Sequence, residues 1–183
     1  MDNLITRQVL LTGITDIMFD RYAGDNKTQL PVEQKMYLRK KTLILPSANI
    51  SSFLSAQNTP SAPKRLMDSR TYKRVAQAFL SFVSITPNDI PFLRDGKPII
   101  FNGFDDKSMY VHQCVARLDK GIPNPKTRPV LMMPWSLEFT LNIFPNDEFN
   151  EGLLKDTFNR GGIAVGLGTY RGVFGKFKID SWK

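Results

Sequence analysis

The sequence predicts an α+β fold: a single domain over residues 1–183 whose strand and helix order, βαββαβ, is that of ferredoxin-like or RRM-like cores. Three observations point there. Residues 135–143 carry Leu137, Phe139, Leu141 and Ile143 in alternation with Ser136, Glu138, Thr140 and Asn142, the pattern of a half-buried strand. Segments 72–83 and 151–160 repeat apolar residues at helical spacing. Strand-like runs at 7–19 and 176–182 bracket them.

Taken in order, 7–19 reads as the first strand and 20–35, with Gly24, Asp25 and Pro31, as a loop. Residues 36–45 read as a short hairpin with Arg39, Lys40 and Lys41 at its tip. Ser47 is placed to cap a helix whose inward residues are Ile50, Phe53 and Leu54. Segment 57–71 has loop chemistry, and 72–83 forms a second helix with Val75, Ala78, Phe79 and Phe82 inward. Turns and short strands are expected over 86–107, where Pro87, Pro91, Pro98, Gly96 and Gly103 fall. A strand at 108–118 and a Pro- and Lys-containing excursion at 119–134 precede the strand at 135–143. Asn150 is placed to cap the helix 151–160, and Gly161-Gly162 to stop it. Segments at about 20–45, 57–107 and 119–134 are then insertions on the core. Trp135 and Trp182, among apolar neighbours, are expected in the core.

Composition narrows the function. Of the 183 residues 42% are hydrophobic, enough for a core and too many for a disordered chain. Lys and Arg number 25 against 17 Asp and Glu, giving +8 and a pI near 9.7. A small domain this basic is suited to a polyanion, nucleic acid first. Cys114 and His112 are the only residues of their types. An intrachain disulfide is therefore impossible and Cys- or His-rich metal sites are excluded; no cofactor is expected, and a reducing, cytoplasmic setting fits. No apolar run approaches the roughly 18–20 residues needed to span a bilayer, and the N-terminus lacks a signal-peptide profile.

The most informative segment runs from Gly161 to Phe177, with six glycines among residues 161–175. Such a loop allows left-handed turns and close backbone approach, and its free amides can cradle phosphate. Arg171 and Lys176 add cations, and Tyr170, Phe174 and Phe177 offer stacking faces. The spacing of Gly166, Gly168 and Gly172 is not a dinucleotide fingerprint. Nor is it a P-loop, since Phe177 stands in the Ser/Thr position.

The string GLGTYRGVFGKFKIDSW resembles the C-terminal Gly-rich signature of the RAMP superfamily, particularly its short phage and prophage members. Gly166, Gly168, Tyr170, Arg171, Gly175, Phe177, Ile179 and Trp182 fill the matching places. LLTGITDIMFDR, MYLRKKTLILPSANISSFL and RPVLMMPWSLEFTL resemble further family segments, with Phe19-Asp20-Arg21 where a Met-His-Arg-like triplet is usual. The resemblance implies a modified RRM-like domain, without catalytic residues, that binds single-stranded RNA or DNA, RNA favoured, by backbone contacts. It also implies side-by-side assembly with its own copies or with related CRISPR effector subunits, in a bacterial cell. Gly166, Gly168, Tyr170, Arg171, Gly175 and Lys176 are the first candidates for contact; Arg39, Lys40, Lys41, Arg70, Arg74 and Arg128 come second. Lys35 joins the first basic cluster, Lys64, Arg65 and Lys73 the second, and Lys126 the third, where a β-hairpin thumb would stand.

Two other classes compete. A metal-dependent ribonuclease would use Asp20 or Asp25, or Asp16 or Asp105-Asp106, to hold Mg²⁺. An assembly or decoy protein would dock on a CRISPR complex without nucleic acid. A nucleophilic dyad of His112 and Cys114, two apart on one strand, lacks an acidic orienter.

Overall fold

The computed structural model describes residues 4–25, 27–105, 107–117 and 123–183. The first apolar run divides at a bend over 14–15 into β1 (Ile5–Gly13) and a two-residue β2 (Ile17–Met18). The expected basic-tipped hairpin follows as β3 (Leu38–Arg39) and β4 (Thr42–Pro46), with Lys40 and Lys41 at φ 48° and 69° in its turn. Then come α1 (Ser47–Ser55), α2 (Ala62–Leu66), α3 (Thr71–Phe82), β5 (Val83–Thr86), β6 (Asp89–Arg94) and β7 (Lys97–Pro98). The chain finishes with β8 (Met109–Arg117), β9 (Pro123–Leu131), β10 (Ser136–Ile143), α4 (Glu151–Ala164) and β11 (Phe177–Trp182).

The main sheet is antiparallel, in the order β11-β1-β10-β6-β4-β3, with β5 also on β10 and β7 on β6. β10 lies between β1 and the β5–β6 pair, and β1 lies between β10 and β11. Each helical crossover therefore skips one strand, which is the split βαβ arrangement of a ferredoxin-like core. The α+β class is as the sequence predicts, but the second core strand is not the one expected. β5 and β6 fill that place, interrupted at Pro87 and Asn88, while 108–118 belongs to a separate sheet, β2-β9-β8. The 57–107 segment thus supplies α3 and a core strand. The 119–134 excursion holds β9, which pairs with β8 from Met109↔Leu131 to Arg117↔Pro123. Prolines 123, 125 and 129 are tolerated because β2 reaches only the root of β9, leaving most of its other edge unpaired.

The helices cover one face of the main sheet. Phe158 of α4 packs on Phe139, Phe53, Phe177 and Trp182, with ring centroids 5.5–6.5 Å apart. Asn150 caps α4, its side chain accepting from the Leu153 amide at 2.9 Å. Ser47 does not cap α1: it is the helix's first residue, and its amide donates to Asn88 O at 2.8 Å. Gly161 and Gly162 do not stop α4 either. They lie within it, and glycine is needed there because a Cβ at Gly161 would meet Ala62 at 2.4 Å and one at Gly162 would meet the Phe177 carbonyl at 2.5 Å. Trp135 is buried as expected, its Nε1 donating to Thr15 O at 2.9 Å. Trp182 is half-buried and donates to Glu151. The opposite sheet face is polar: Thr6 bonds Asn142, Gln8 bonds Thr140, and Thr12 bonds Asp180.

Candidate nucleic-acid interface

The Gly-rich loop connects α4 to β11 and folds back on itself. Gly175, at φ 74°, lies so close to Leu167 that a Cβ would sit 2.0 Å from that carbonyl oxygen. The expected cradle of free amides is not formed. The amides of Gly166, Gly168, Gly172 and Gly175 donate to Gly161 O, Asn49 Oδ1, Val165 O and Asp16 O at 2.6–3.1 Å. A phosphate could engage them only by displacing those internal bonds. Phe177, offered as a stacking face, is fully buried in the core.

Arg171 holds the loop to the helical layer. Its Nη1 donates to Pro60 O at 2.6 Å, its Nη2 to Ser52 Oγ at 3.3 Å and its Nε to Gly168 O at 3.3 Å. Burial lowers its pKa, and no carboxylate pairs with it among the described residues. The amide of Lys176 is fixed to Thr15 Oγ1 at 2.9 Å. Tyr170 is 52% exposed and contacts Phe174, which in turn contacts His112 on β8.

The loop thereby meets the β8–β9 hairpin. Pairing sets His112 opposite Arg128 and Cys114 opposite Lys126, and residues directly opposite share a side of the sheet. Arg128 lies between Cys114 Sγ, 3.8 Å from its Nη1, and Asp20, whose Oδ2 accepts from its Nε at 2.8 Å. Arg128 is thus committed to an ion pair, with side-chain exposures of 13% and 22%. His112 and Cys114 turn to Phe174 and Arg128 respectively, and no dyad forms.

Beside the hairpin, residues of the 20–25 and 27–32 stretches and the outer part of β9 enclose a groove of about 660 Å³. Arg21, Lys27, Lys35 and Lys126 line it. Its two carboxylates are answered from within. Asp20 holds Arg128, and Asp25 accepts from the Lys27 and Thr28 amides and the Thr28 hydroxyl, which lowers its pKa. Lys35 Nζ donates to Thr127 O at 2.6 Å, tying the two walls together. Arg21 and Lys27 escaped the sequence reading because they stand singly in a loop with acidic neighbours. The signal for Arg21 was its place at the end of the family-like first strand, in the Phe19-Asp20-Arg21 triplet; Lys27 had only its membership of a long polar insertion.

The remaining cations lie elsewhere. Arg39 pairs with Asp89 at 2.5 Å, and with Lys40 and Lys41 it sits at the β3 edge of the sheet, the opposite edge from β11. Arg70 and Arg74 are exposed on the helical layer at the start of α3, Arg74 facing Glu148 at 3.5 Å. The three sequence clusters are therefore not one surface. Asp16 accepts from the Met133 amide, and Asp105 from the Lys107 and Ser108 amides; Asp106 lies outside the described residues. No three His, Cys, Asp or Glu side chains converge as a metal site among the described residues. Nor is any helix among them long and apolar enough to cross a membrane.

No family model matches this sequence, and no curated protein does. The fold does match. A chain of the structure described as the cryo-EM structure of the Type III-B Cmr-beta bound to cognate target RNA superposes with a TM-score of 0.57 at 10% identity. The match covers 98% of this chain and 60% of the other, so this chain spans about three-fifths of its neighbour's length.

Proposed function

We propose that this protein binds single-stranded nucleic acid, RNA ahead of DNA, by its sugar–phosphate backbone, as a non-catalytic, RAMP-type subunit. It associates side by side with its own copies or with related CRISPR subunits. The observation that carries the reading is the groove beside the β8–β9 hairpin, with Arg21, Lys27, Lys35 and Lys126 on its walls against two carboxylates, of which Asp20 is ion-paired with Arg128 and Asp25 is hydrogen-bonded within its own turn. Phosphates give affinity to such a lining without sequence readout. The fold shared with a chain from an RNA-bound Cmr assembly supports the choice of RNA, as does the RAMP-like Gly-rich string. The pairing of Asp20 with Arg128, and of Asp25 with its own turn, supports a non-catalytic role.

Anisotropy of a labelled single-stranded RNA against salt tests the binding. Four phosphates neutralised in the groove give a slope of log K on log salt of about −3. Arg21→Glu with Lys27→Glu should flatten it. A slope near zero for the wild-type protein removes the proposal. Incubation of the same RNA with Mg²⁺ tests the absence of catalysis, and cleavage abolished by Asp20→Ala would overturn it. Sedimentation with and without RNA reads the assembly.

A further inference from the structure

We infer that Tyr170, Phe174 and His112 form a stacking platform for a nucleobase, so that the protein grips a base as well as the backbone; the inference rests on the nucleic-acid reading above. The three rings make a continuous row. Tyr170 and Phe174 have centroids 5.9 Å apart and planes 35° apart, and Phe174 meets the His112 ring at 5.6 Å, edge-on. The row bridges two elements far apart in sequence, the Gly-rich loop and β8, and its outer ring is half exposed. Tyr170 also holds a φ of 54°, a conformation that favours glycine, yet a large aromatic side chain occupies it.

The occupant is argued from charge. His112 stands opposite Arg128, and Cys114 opposite Lys126, a lining residue of the basic groove. With Arg128 held by Asp20, Lys126 is the cation near the ring row, and it suits a base that carries its own phosphate. The polar face of β1 and β10, where an RRM sheet would stack its bases, presents Thr6, Gln8, Thr12, Glu138, Thr140 and Asn142 and no aromatic ring. That face offers a base no ring to stack on, whereas the Gly-rich loop does.

Anisotropy at low salt compares a single-stranded RNA oligomer with an abasic backbone of the same length and charge. Wild-type protein should favour the base-bearing oligomer by about tenfold. Tyr170→Gly, which relieves the backbone conformation, should reduce that preference to near one with the salt slope unchanged; Tyr170→Phe should retain it. Equal wild-type affinity for the two oligomers overturns the platform and leaves the groove reading standing. Loss of all salt-dependent binding overturns both. If Tyr170→Gly instead dissociates an oligomer in sedimentation and leaves the base preference intact, the ring row serves a second copy and the inference fails.

Discussion

Arg128 on β9 donates its Nε to Asp20 Oδ2 at 2.8 Å, fastening the hairpin to the loop that walls the basic groove. The pair is mostly shielded from water, so removing the carboxylate charge has two effects. Asp20→Asn should lower stability by about 1–2 kcal/mol through the weakened charged hydrogen bond. It should also raise affinity for single-stranded RNA, since a cation beside the groove is then uncompensated. Thermal unfolding and anisotropy on the same variant check both signs; weaker RNA binding by folded Asp20→Asn would contradict the second.

Gly175→Ala should cost about 3–5 kcal/mol, because backbone strain and overpacking act together at that residue. The added methyl group would lie against the Leu167 carbonyl at a φ of 74°. Urea denaturation measures it. Gly24→Ala, where a Cβ meets nothing within 4 Å at φ 99°, isolates the strain and should cost less.

Arg171→Ala should destabilise by about 2–3 kcal/mol, since a partly buried guanidinium with three acceptors is lost. Its donors face inward to Pro60, Ser52 and Gly168. Once folded, the variant should keep the RNA affinity of the wild type within about threefold, the range expected when phosphate contacts in the groove are intact. A folded Arg171→Ala protein with binding abolished would return this residue to the contact surface.

Acid sensitivity is set partly at Glu151. Its carboxylate accepts Arg7 Nε at 2.7 Å, Nη2 at 2.9 Å and the Trp182 indole at 2.6 Å. The Arg7 hydrogen bond, foremost, holds its pKa below the ordinary glutamate value of about 4.5. A depressed carboxylate pKa stabilises the fold above the unfolded value, and that share is lost as pH falls through the folded value. Glu151→Gln should therefore melt below the wild type near neutrality, and the gap should close below about pH 4.5. A gap that widens on acidification would contradict the assignment.

Much of the fold was legible because its signals are local. The alternation from Leu137 to Ile143 marks β10, Asn150 marks the start of α4, and the Arg39–Lys41 tip marks a turn. Where the reading missed, packing had overridden local preference. Pro87 and Pro91 made 86–107 read as turns and short strands of an insertion, yet Ile90 and Phe92 are buried in the core sheet. Gly161 and Gly162 looked like a helix stop; they lie inside α4, and their lack of a side chain is what lets Ala62 and Phe177 pack against them.

Residue order alone determined the α+β class, the basic character and the unusual loop before β11, because charge, alternation and glycine content need no knowledge of neighbours. The tertiary structure decided which groups face outward. Arg171 was a phosphate-contact candidate until its acceptors turned out to be Ser52 and Pro60, 119 and 111 residues away. Arg21 and Lys27 line a groove only because β9, about a hundred residues later, closes it beside them. A donor's availability depends on where distant acceptors come to rest, and folding alone settles that.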